Sequence, residues 1–257
     1  MPVLYEDEHL LALDKPAGLR LLPDPEDPET PSLMGLLHQA IHAQKPWTRE
    51  RGLDFLRQAH RWETETSGVL LLARSREALT ALGNQLYDER PRRCLLALAH
   101  GAAVESAFQV QVRMAPRPRQ PHLMRIDPRH GRKSFTRFAV RERFARHALW
   151  ECRPTTERLH QIRLHLRYHR LPVVSDPDYG GAPLLLSELK PGYRFKKDTP
   201  EKPLINRPAV HCAAIEIEHP VRGEPLRIEA PLPKDFQVAL KYLRRFAPDL
   251  SAPAPSA

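Results

Sequence analysis

The chain of 257 residues has few cysteines and no long apolar run. Its three cysteines, Cys94, Cys152 and Cys212, are odd in number and never occur in a C-x-x-C spacing, so neither a disulfide framework nor a zinc knuckle is indicated. The longest apolar stretches, such as residues 69–73, are far shorter than the roughly 20 residues that cross a bilayer. The first residues are acidic, where a secretory signal or transit peptide would be basic. We therefore expect a cytoplasmic protein with buried thiols and no membrane partner.

Sequence motifs of several enzyme classes are also missing. There is no G-x-S-x-G elbow, no phosphate-binding P-loop and no G-x-G-x-x-G fingerprint. His165 and His169 lie four residues apart, as two zinc ligands would, but no H-E-x-x-H and no third ligand accompany them. Glu63 and Glu65 fall on one side of an extended chain, whereas the carboxylates of a glycosidase face the bond from opposing walls. The sequence therefore predicts no metal site and no nucleotide cofactor.

Positive charge is concentrated in the middle of the chain. Lysine and arginine outnumber the acids 40 to 31, for a formal net charge of +9. Between Arg113 and Arg146 there are eleven basic residues, mostly arginine, against Asp127 and Glu142. Arginine binds phosphate through a planar fork of donors, so a polyanion is the natural partner of such a segment. A solvated surface in an arginine-rich protein remains the alternative.

The pattern of apolar residues predicts strands and helices without strict alternation, which favours an α+β chain over a doubly wound sheet. Ser32 and Ser75 are predicted N-caps of two helices, and residues 68–73 form a continuous apolar run typical of a buried strand. Residues 116–131 are predicted as a long hairpin loop and residues 182–207 as irregular. Further strands are predicted at 3–5, 10–13, 95–99, 135–140, 148–152, 171–174, 213–217 and 226–228, and helices at 159–168 and 235–246.

Two short polar clusters contain most of the side chains suited to catalysis or binding. The first, His60 to Gly68, comes directly before the apolar run, and a loop that leads into a rigid strand suits a functional site. The second, Arg158 to His165, places basic and amide groups on a short amphipathic stretch. Each cluster has a structural alternative: a polar turn whose hydroxyls satisfy backbone groups, and the solvated face of a helix.

Five blocks, in the right order, resemble the RluA-type pseudouridine synthases. Residues His60 to Ala73 are similar to the family's H-R-L-D-x-x-T-S-G-L-L-L-L-A signature. Residues Arg158 to Leu166 are similar to its G-R-T-H-Q-I-R-x-H-L stretch. The other blocks are an opening hairpin that ends in Lys15-Pro16-Ala17-Gly18, the D-P-x-Y-G turn at Asp176 to Gly181, and a closing hairpin over residues 211–233. The resemblance spans about residues 3–240.

The resemblance implies an α+β pseudouridine synthase fold, in which helices and loops flank a mixed, mainly antiparallel central sheet with a central RNA-binding cleft. It implies one catalytic domain over residues 1–247, without a preceding S4-like module, and we expect a disordered tail at 248–257. Such enzymes need no cofactor and convert uridine to pseudouridine in structured RNA, such as ribosomal or transfer RNA. The target base must leave its stack to reach a pocket. We expect structured RNA as the partner and a monomeric protein.

The resemblance also implies roles for individual residues. Glu63 stands at the position of the family's catalytic aspartate, and Arg163 at that of its ion-pair partner, whose positive charge lowers the pKa of the carboxyl and orients it. Leu95 stands where the family has a tyrosine that stacks on the uracil. Arg61 is the candidate to fill the space left by the flipped base. The other expected RNA contacts are His60, Thr66, Arg117, Arg119, Arg125, Arg158, His160 and Gln161.

Three positions depart from the family pattern. Glu63 is longer than aspartate by one methylene, about 1.5 Å of reach, and a misplacement near 1 Å can cost about 10²-fold in rate. Leu95 can pack against a ring but cannot accept a proton, and Glu157 adds a negative charge where the family has glycine. Two hypotheses follow: an active synthase with an altered catalytic pair, and an RNA-binding member of the family that has lost isomerisation.

Overall fold

In the computed structural model, residues 1–24, 27, 29–88, 92–194 and 200–249 are described. They form eleven strands, six α-helices and a 3-10 turn at Pro177–Tyr179. In chain order the elements are β1 (Val3–Glu6), β2 (Leu10–Lys15), α1 (Leu33–His42), α2 (Pro46–Glu50), β3 (Arg57–Gln58), β4 (Ser67–Ala73), α3 (Arg76–Tyr87), β5 (Arg93–His100), β6 (Ala107–Arg117), β7 (Gln120–Ile126), β8 (Arg132–Arg143), β9 (His147–Pro154), α4 (Gln161–Tyr168), α5 (Leu186–Leu189), β10 (Val210–Glu218), β11 (Pro225–Glu229) and α6 (Lys234–Phe246).

The chain divides into two compact units. Unit 1 comprises Met1–Cys94 and Cys212–Pro231, and unit 2 comprises Leu95–His211 and the residues from Leu232 onward. In unit 1 the strands are ordered β1, β2, β4 and β10, with β3 paired to β4 and β11 paired to β10. In unit 2 the order is β5, β9, β8, β6 and β7, and each neighbouring pair is antiparallel. The predicted α+β class with a mainly antiparallel sheet is confirmed.

The central strand of unit 1 is β4, which is buried along its whole length, as its continuous apolar sequence predicts. It pairs antiparallel with β2 in a register that runs from Leu10 opposite Ala73 to Lys15 opposite Gly68. Leucines of both strands join those of α1 in one buried cluster. The strand that follows the 60–66 loop is therefore a rigid base for that loop.

Both predicted helix caps are confirmed. The Ser32 Oγ accepts a hydrogen bond from the Gly35 N–H at 3.2 Å, and the Ser75 Oγ accepts one from the Ala78 N–H at 3.1 Å. Each cap satisfies one of the N–H groups that the first turn of a helix leaves without an intrahelical partner.

The prediction of a long loop over residues 116–131 is wrong, because residues 120–126 form β7. This strand pairs antiparallel with β6, so that Pro116 lies opposite Met124. The prolines suggested a loop, but β7 ends the strand order, and an edge strand tolerates residues without an N–H donor. Residues 116–126 are therefore part of the β6–β7 hairpin rather than an irregular connection.

Three smaller differences concern the second half of the chain. The strand predicted at 171–174 is reduced to an isolated bridge between Val173 and Ala99, and the segment predicted as irregular contains α5. Pro248, at the start of the predicted disordered tail, forms a bridge with Phe144, while residues 250–257 lie outside the described residues. The single domain over 1–247 and the RNA-binding cleft stay predictions. Three further elements were missed: α2, the short β3 and the eleven-residue strand β6.

The three cysteines are free and buried, as predicted. Among the described residues, no helix has both the length and the apolar character that crossing a membrane requires.

Replacing Gly68 by alanine is expected to destabilise unit 1 strongly. Gly68 has a φ of +109°, and a Cβ there would lie 2.0 Å from the backbone oxygen of Cys212. We expect Gly68→Ala to lower the free energy of unfolding by about 3 kcal/mol or more, as measured by urea denaturation. Gly83→Ala is the control, since a Cβ there meets no atom within 4 Å and should add about 0.5–1 kcal/mol to the stability of α3. Equal stabilities of the two variants would contradict this account.

Candidate functional site

A buried lysine holds the loop that contains Glu63. Lys15, at the end of β2, is fully buried. Its Nζ donates hydrogen bonds to the backbone oxygens of Pro16 at 3.0 Å, Thr64 at 3.1 Å and Thr66 at 2.8 Å. An ammonium group has three donors, and its burial is costly unless they find acceptors. The backbone that follows Glu63 is therefore fixed by an interaction from another strand.

Two aromatic side chains anchor the beginning of the same loop to β4. The His60 Nε2 accepts a hydrogen bond from the Leu71 N–H at 3.0 Å, so this nitrogen carries no proton. The Trp62 Nε1 donates to the Val69 oxygen at 2.8 Å, and its ring meets that of His60 edge to face with centroids 4.7 Å apart. The loop is thus held both before and after Glu63.

The fixed loop exposes some of its side chains and buries others. The Thr66 N–H donates to the Glu63 backbone oxygen at 3.1 Å, which closes a turn. The Arg61 side chain is exposed, that of Glu63 is half-buried, and His60 and Thr66 are buried. This arrangement suits the roles that the resemblance implies for Arg61 and Glu63, which stay predictions. Any contact of RNA with His60 or Thr66 also stays a prediction.

In unit 2, Arg163 of α4 forms a buried ion pair. Its Nε lies 2.8 Å from Asp176 Oδ2 and its Nη2 lies 2.6 Å from Asp176 Oδ1, which is the two-point geometry that a guanidinium and a carboxylate prefer. Asp176 is fully buried and Arg163 is only 2% exposed. The same Nη2 reaches Asp178 Oδ2 at 2.7 Å, and the Arg163 Cζ lies 5.0 Å from the centre of the Tyr179 ring. The orientation of this guanidinium is therefore fixed from two sides.

A tyrosine hydroxyl connects β7 to the start of α4. The Tyr179 hydroxyl accepts a hydrogen bond from the Met124 N–H at 2.9 Å and lies 2.9 Å from His160 Nδ1. His160 caps α4 in the left-handed conformation, with a φ of 53°. Burial, followed by the charge of Arg163, lowers the pKa of His160 to about 3. The imidazole is therefore neutral near pH 7.

The amide of Gln161 connects α4 to β8. Its Oε1 accepts from Thr156 Oγ1 at 3.0 Å, and its Nε2 donates to the Phe135 oxygen at 3.1 Å and to Thr136 Oγ1 at 3.0 Å. Gln161 and His160 are both buried among protein partners. Their described contacts are structural, and the prediction that they touch RNA stays a prediction.

Three of the arginines predicted to bind RNA, Arg117, Arg119 and Arg125, lie on β6, on β7 and in the turn between them. Arg119 and Arg125 are exposed, whereas Arg117 is half-buried with its Cζ 5.5 Å from the centre of the Tyr179 ring. Arg125 also forms an ion pair with Asp127, with Nη2 2.6 Å from Oδ2. The hairpin therefore presents arginines on an ordered scaffold.

The remaining predicted site residues have these positions. Leu95 lies on β5, 3% exposed and opposite Cys152 of β9. Arg158 is half-buried and donates from Nη1 to the backbone oxygen of Glu157 at 2.8 Å. Glu63 belongs to unit 1, whereas Arg163 and Leu95 belong to unit 2, and their association in one site stays a prediction.

Sequence reasoning assigned no role to Lys15, Asp176 or Tyr179. A signal for Lys15 was present, because Leu11, Leu13 and Lys15 are spaced by two and so share one face of β2, whose leucines belong to a buried cluster. A charged residue on a core face needs buried partners. No comparable spacing identified Asp176 as the partner of Arg163. No group of three or more His, Cys, Asp or Glu within the described parts of the chain could hold a metal ion.

Loss of the Arg163–Asp176 pair is expected to lower the free energy of unfolding much more than loss of the Arg163–Asp178 contact. Asp176→Ala leaves a buried guanidinium without its main partner, so we expect the free energy of unfolding to fall by about 3–5 kcal/mol. Asp178→Ala is the control, because this carboxylate is 41% exposed and its loss should cost about 1 kcal/mol or less. Urea denaturation of both variants tests the order, and an equal loss would refute the distinction.

Stability is expected to decrease below about pH 6.5. Burial is the main cause that lowers the pKa of His147 to about 4, of His160 to about 3 and of His165 to about 4. Between about pH 6.5 and pH 4 the unfolded chain binds protons that the folded chain excludes, so the free energy of unfolding falls as the pH falls. We expect a loss on the order of a few kcal/mol between pH 7.5 and pH 5 in urea titrations. His165→Gln should reduce this dependence, and a pH-independent stability over that interval would count against it.

Comparison with known proteins identifies the family. A family model described as RNA pseudouridylate synthase matches residues 9–168. The chain is 37% identical over 254 residues to ribosomal large subunit pseudouridine synthase D of Xanthomonas campestris, an alignment that covers 94% of this chain and 69% of the relative. It is 34% identical over 246 residues to ribosomal large subunit pseudouridine synthase C of Escherichia coli K12, with 94% and 70% covered.

Two solved human structures share the fold. RNA pseudouridylate synthase domain containing 4 superposes with a TM-score of 0.71 at 18% identity, covering 94% of this chain and 92% of that chain. RNA pseudouridylate synthase domain containing 1 superposes with a TM-score of 0.62 at 20% identity, covering 99% and 96%. At these identities the likeness concerns the fold alone, and it confirms the predicted pseudouridine synthase fold. With the family match over residues 9–168 and the relatives aligned along 94% of its length, the chain belongs to the RNA pseudouridylate synthase family, as its five sequence blocks had indicated.

Proposed function

We propose that this chain isomerises uridine to pseudouridine in the RNA of the large ribosomal subunit. The two bacterial relatives carry that activity and that substrate in their names, and each alignment covers 94% of this chain. The observation that carries the proposal is the loop of Glu63, whose backbone is held by Lys15. A carboxylate on a fixed backbone is the arrangement that a reaction sensitive to small displacements requires.

The reaction leaves the oxidation state of the nucleoside unchanged. The bond from N1 to C1′ breaks, the uracil turns, and a bond from C5 to C1′ forms. The proton that C5 carried is lost and N1 gains one, so solvent can balance the exchange and no cofactor is consumed. In this scheme the ionised Glu63 assists cleavage of the glycosidic bond, and Arg163 holds its charge and orientation.

The surroundings of Glu63 support an adapted catalyst rather than a remnant. Lys15, His60 and Trp62 hold the loop in one conformation, which is what the precise placement of a catalytic carboxylate requires. The additional methylene of glutamate moves the carboxylate about 1.5 Å further from this fixed backbone than an aspartate would. We propose that the bound nucleoside sits correspondingly further from the loop.

The same loop offers a group for base flipping. Arg61 is exposed and lies two residues before Glu63 on the anchored backbone. A flipped base leaves a gap in the stack, and a planar guanidinium can fill it while binding phosphate. Leu95 would pack against the uracil without accepting a proton, so another acceptor, such as solvent, takes the proton from C5.

Glu63→Gln is expected to abolish isomerisation without weakening RNA binding. Large-subunit RNA carrying tritium at C5 of uridine releases label into water when pseudouridine forms. We expect the variant to release label at least about 10³-fold more slowly, with RNA affinity within about twofold of the parent chain. Glu65→Gln is the matched control, since it removes a neighbouring carboxylate and should leave the rate unchanged. Full activity of Glu63→Gln would exclude the assigned role.

The same assay separates the active synthase from an RNA-binding protein that has lost isomerisation. Salt-sensitive binding by the parent chain without any release of label would favour the inactive protein. In that case Glu63→Asp combined with Leu95→Tyr, which restores both residues of the family pattern, should produce measurable turnover.

A further inference from the structure

Unit 2 contains an open groove between the β6–β7 hairpin and α4. Its volume is about 680 Å³, within the range of roughly 300–1,000 Å³ typical of ligand clefts. The less exposed lining residues are apolar: Met124, Ile126 and Leu164. The other lining residues are the half-buried Arg117 and four exposed residues: Arg125, Arg167, Tyr168 and Arg170.

The positive charge of this groove is only partly neutralised. Arg125 is paired with Asp127, and Arg117 reaches only the backbone oxygen of Asp178, at 3.4 Å. Among the described residues, Arg167 and Arg170 form no ion pair, and no acidic residue lines the groove. A phosphate in the groove would therefore meet arginines that have donors to offer.

The local backbone favours this presentation of arginine. The Arg167 Cζ lies 3.6 Å from the position that a Cβ on Gly180 would take, so the guanidinium packs against a residue without a side chain. Gly180 itself has a φ of +80°, and Arg170 has a φ of 63°, a left-handed conformation that a non-glycine residue adopts at some cost. The chain thus turns sharply after α4 at the point where its last arginines face the groove.

Tyr168 is the exposed aromatic residue of the groove. It lies in the last turn of α4 and is 57% exposed. An exposed ring beside arginines and an apolar floor matches the surfaces on which proteins stack unpaired bases. A pure phosphate site would use the arginines but would not require the ring or the floor.

We propose that this groove binds an unpaired nucleotide of the RNA substrate, with its base against Tyr168 and the apolar floor and its phosphates on Arg167, Arg170, Arg117 and Arg125. The inference rests on the proposed function, since it adds a subsite for the same RNA. It goes beyond the resemblance, which assigns no role to Tyr168, Arg167 or Arg170. An acidic peptide could satisfy the arginines, but the ring and floor favour a nucleotide base.

The experiment compares single-stranded with double-stranded RNA. Fluorescence anisotropy measures the affinity of the full chain for an oligouridylate of about twelve nucleotides and for a duplex RNA of equal charge. We expect Tyr168→Ala to weaken binding of the oligouridylate by about 5- to 100-fold and to change binding of the duplex by less than twofold. Tyr168→Phe should retain the affinity, because the ring remains. Tyr87→Ala removes another exposed tyrosine, in unit 1, and should leave both affinities unchanged.

The arginines are tested by the salt dependence of oligouridylate binding. Each phosphate contact contributes about 0.7 to the slope for single strands, so Arg167→Ala with Arg170→Ala should flatten the slope by about 1.4. Arg244→Ala with Arg245→Ala on α6 is the matched control and should leave the slope unchanged. An unchanged affinity in Tyr168→Ala would overturn the proposal, as would competition by polyglutamate as strong as that by oligouridylate.

Failure of this inference can be distinguished from failure of the proposed function. If the parent chain releases tritium while Tyr168→Ala binds oligouridylate normally, only the groove is refuted. If the parent chain releases no tritium but Tyr168→Ala loses binding as expected, the groove stands as an RNA site and isomerisation is refuted.

Discussion

The ammonium group of Lys15 is the interaction on which the candidate site of unit 1 depends. A buried positive charge has to be solvated by the protein, and here three backbone oxygens around the Glu63 loop do so. The requirement works in both directions. The loop gives the lysine two of its three acceptors, and the lysine in turn holds Thr64 and Thr66 in one conformation. Because Lys15 lies at the end of β2 and β2 pairs with the fully buried β4, the position of the loop is set by the core of the unit.

In unit 2 a buried negative charge, the carboxylate of Asp176, fixes the orientation of a candidate site residue, Arg163. Asp176 is a fully buried carboxylate, and Arg163 donates hydrogen bonds to both of its oxygens from Nε and Nη2. The D-P-x-Y-G turn provides both the carboxylate and the ring of Tyr179, so one short segment orients the guanidinium and also fixes the start of α4 through His160. Burial keeps this histidine neutral, with its pKa lowered to about 3, and an added proton would place a second cation beside Arg163. The neutral His160 therefore adds no charge that would repel the guanidinium of Arg163.

Patterns among neighbouring residues of the sequence predicted those parts of the fold that depend on contacts between neighbours in the chain. The caps at Ser32 and Ser75 and the apolar run of β4 concern neighbours in the chain, and the structure agrees with them. Strand β7 was missed because the prolines and arginines of residues 116–131 indicated a loop, whereas a strand at the edge of a sheet tolerates proline. The polar clusters that contain Glu63 and Arg163 were identified from the sequence itself, whereas the individual roles of these two residues came only from the family resemblance. Their supports, Lys15 and Asp176, act across 49 and 13 residues of chain, and no local pattern encodes such a contact.

The arginines of unit 2 show why net charge is a poor guide to an RNA surface. Arg163 is the most deeply buried of the arginines near α4, and its Nε and Nη2 donate to carboxylates of the same unit, those of Asp176 and Asp178. Arg125 forms an ion pair with Asp127. The pKa of Asp127 is lowered mainly by a hydrogen bond from the His130 N–H, and the charge of Arg125 lowers it further. Arg167 and Arg170 are not engaged in this way among the described residues, and they share their groove with Tyr168. A count of eleven basic residues between Arg113 and Arg146 includes Arg125 and omits Arg167 and Arg170. The positive charge that is available to RNA therefore depends on which arginines already form ion pairs with acids of the protein. The fold determines those pairs.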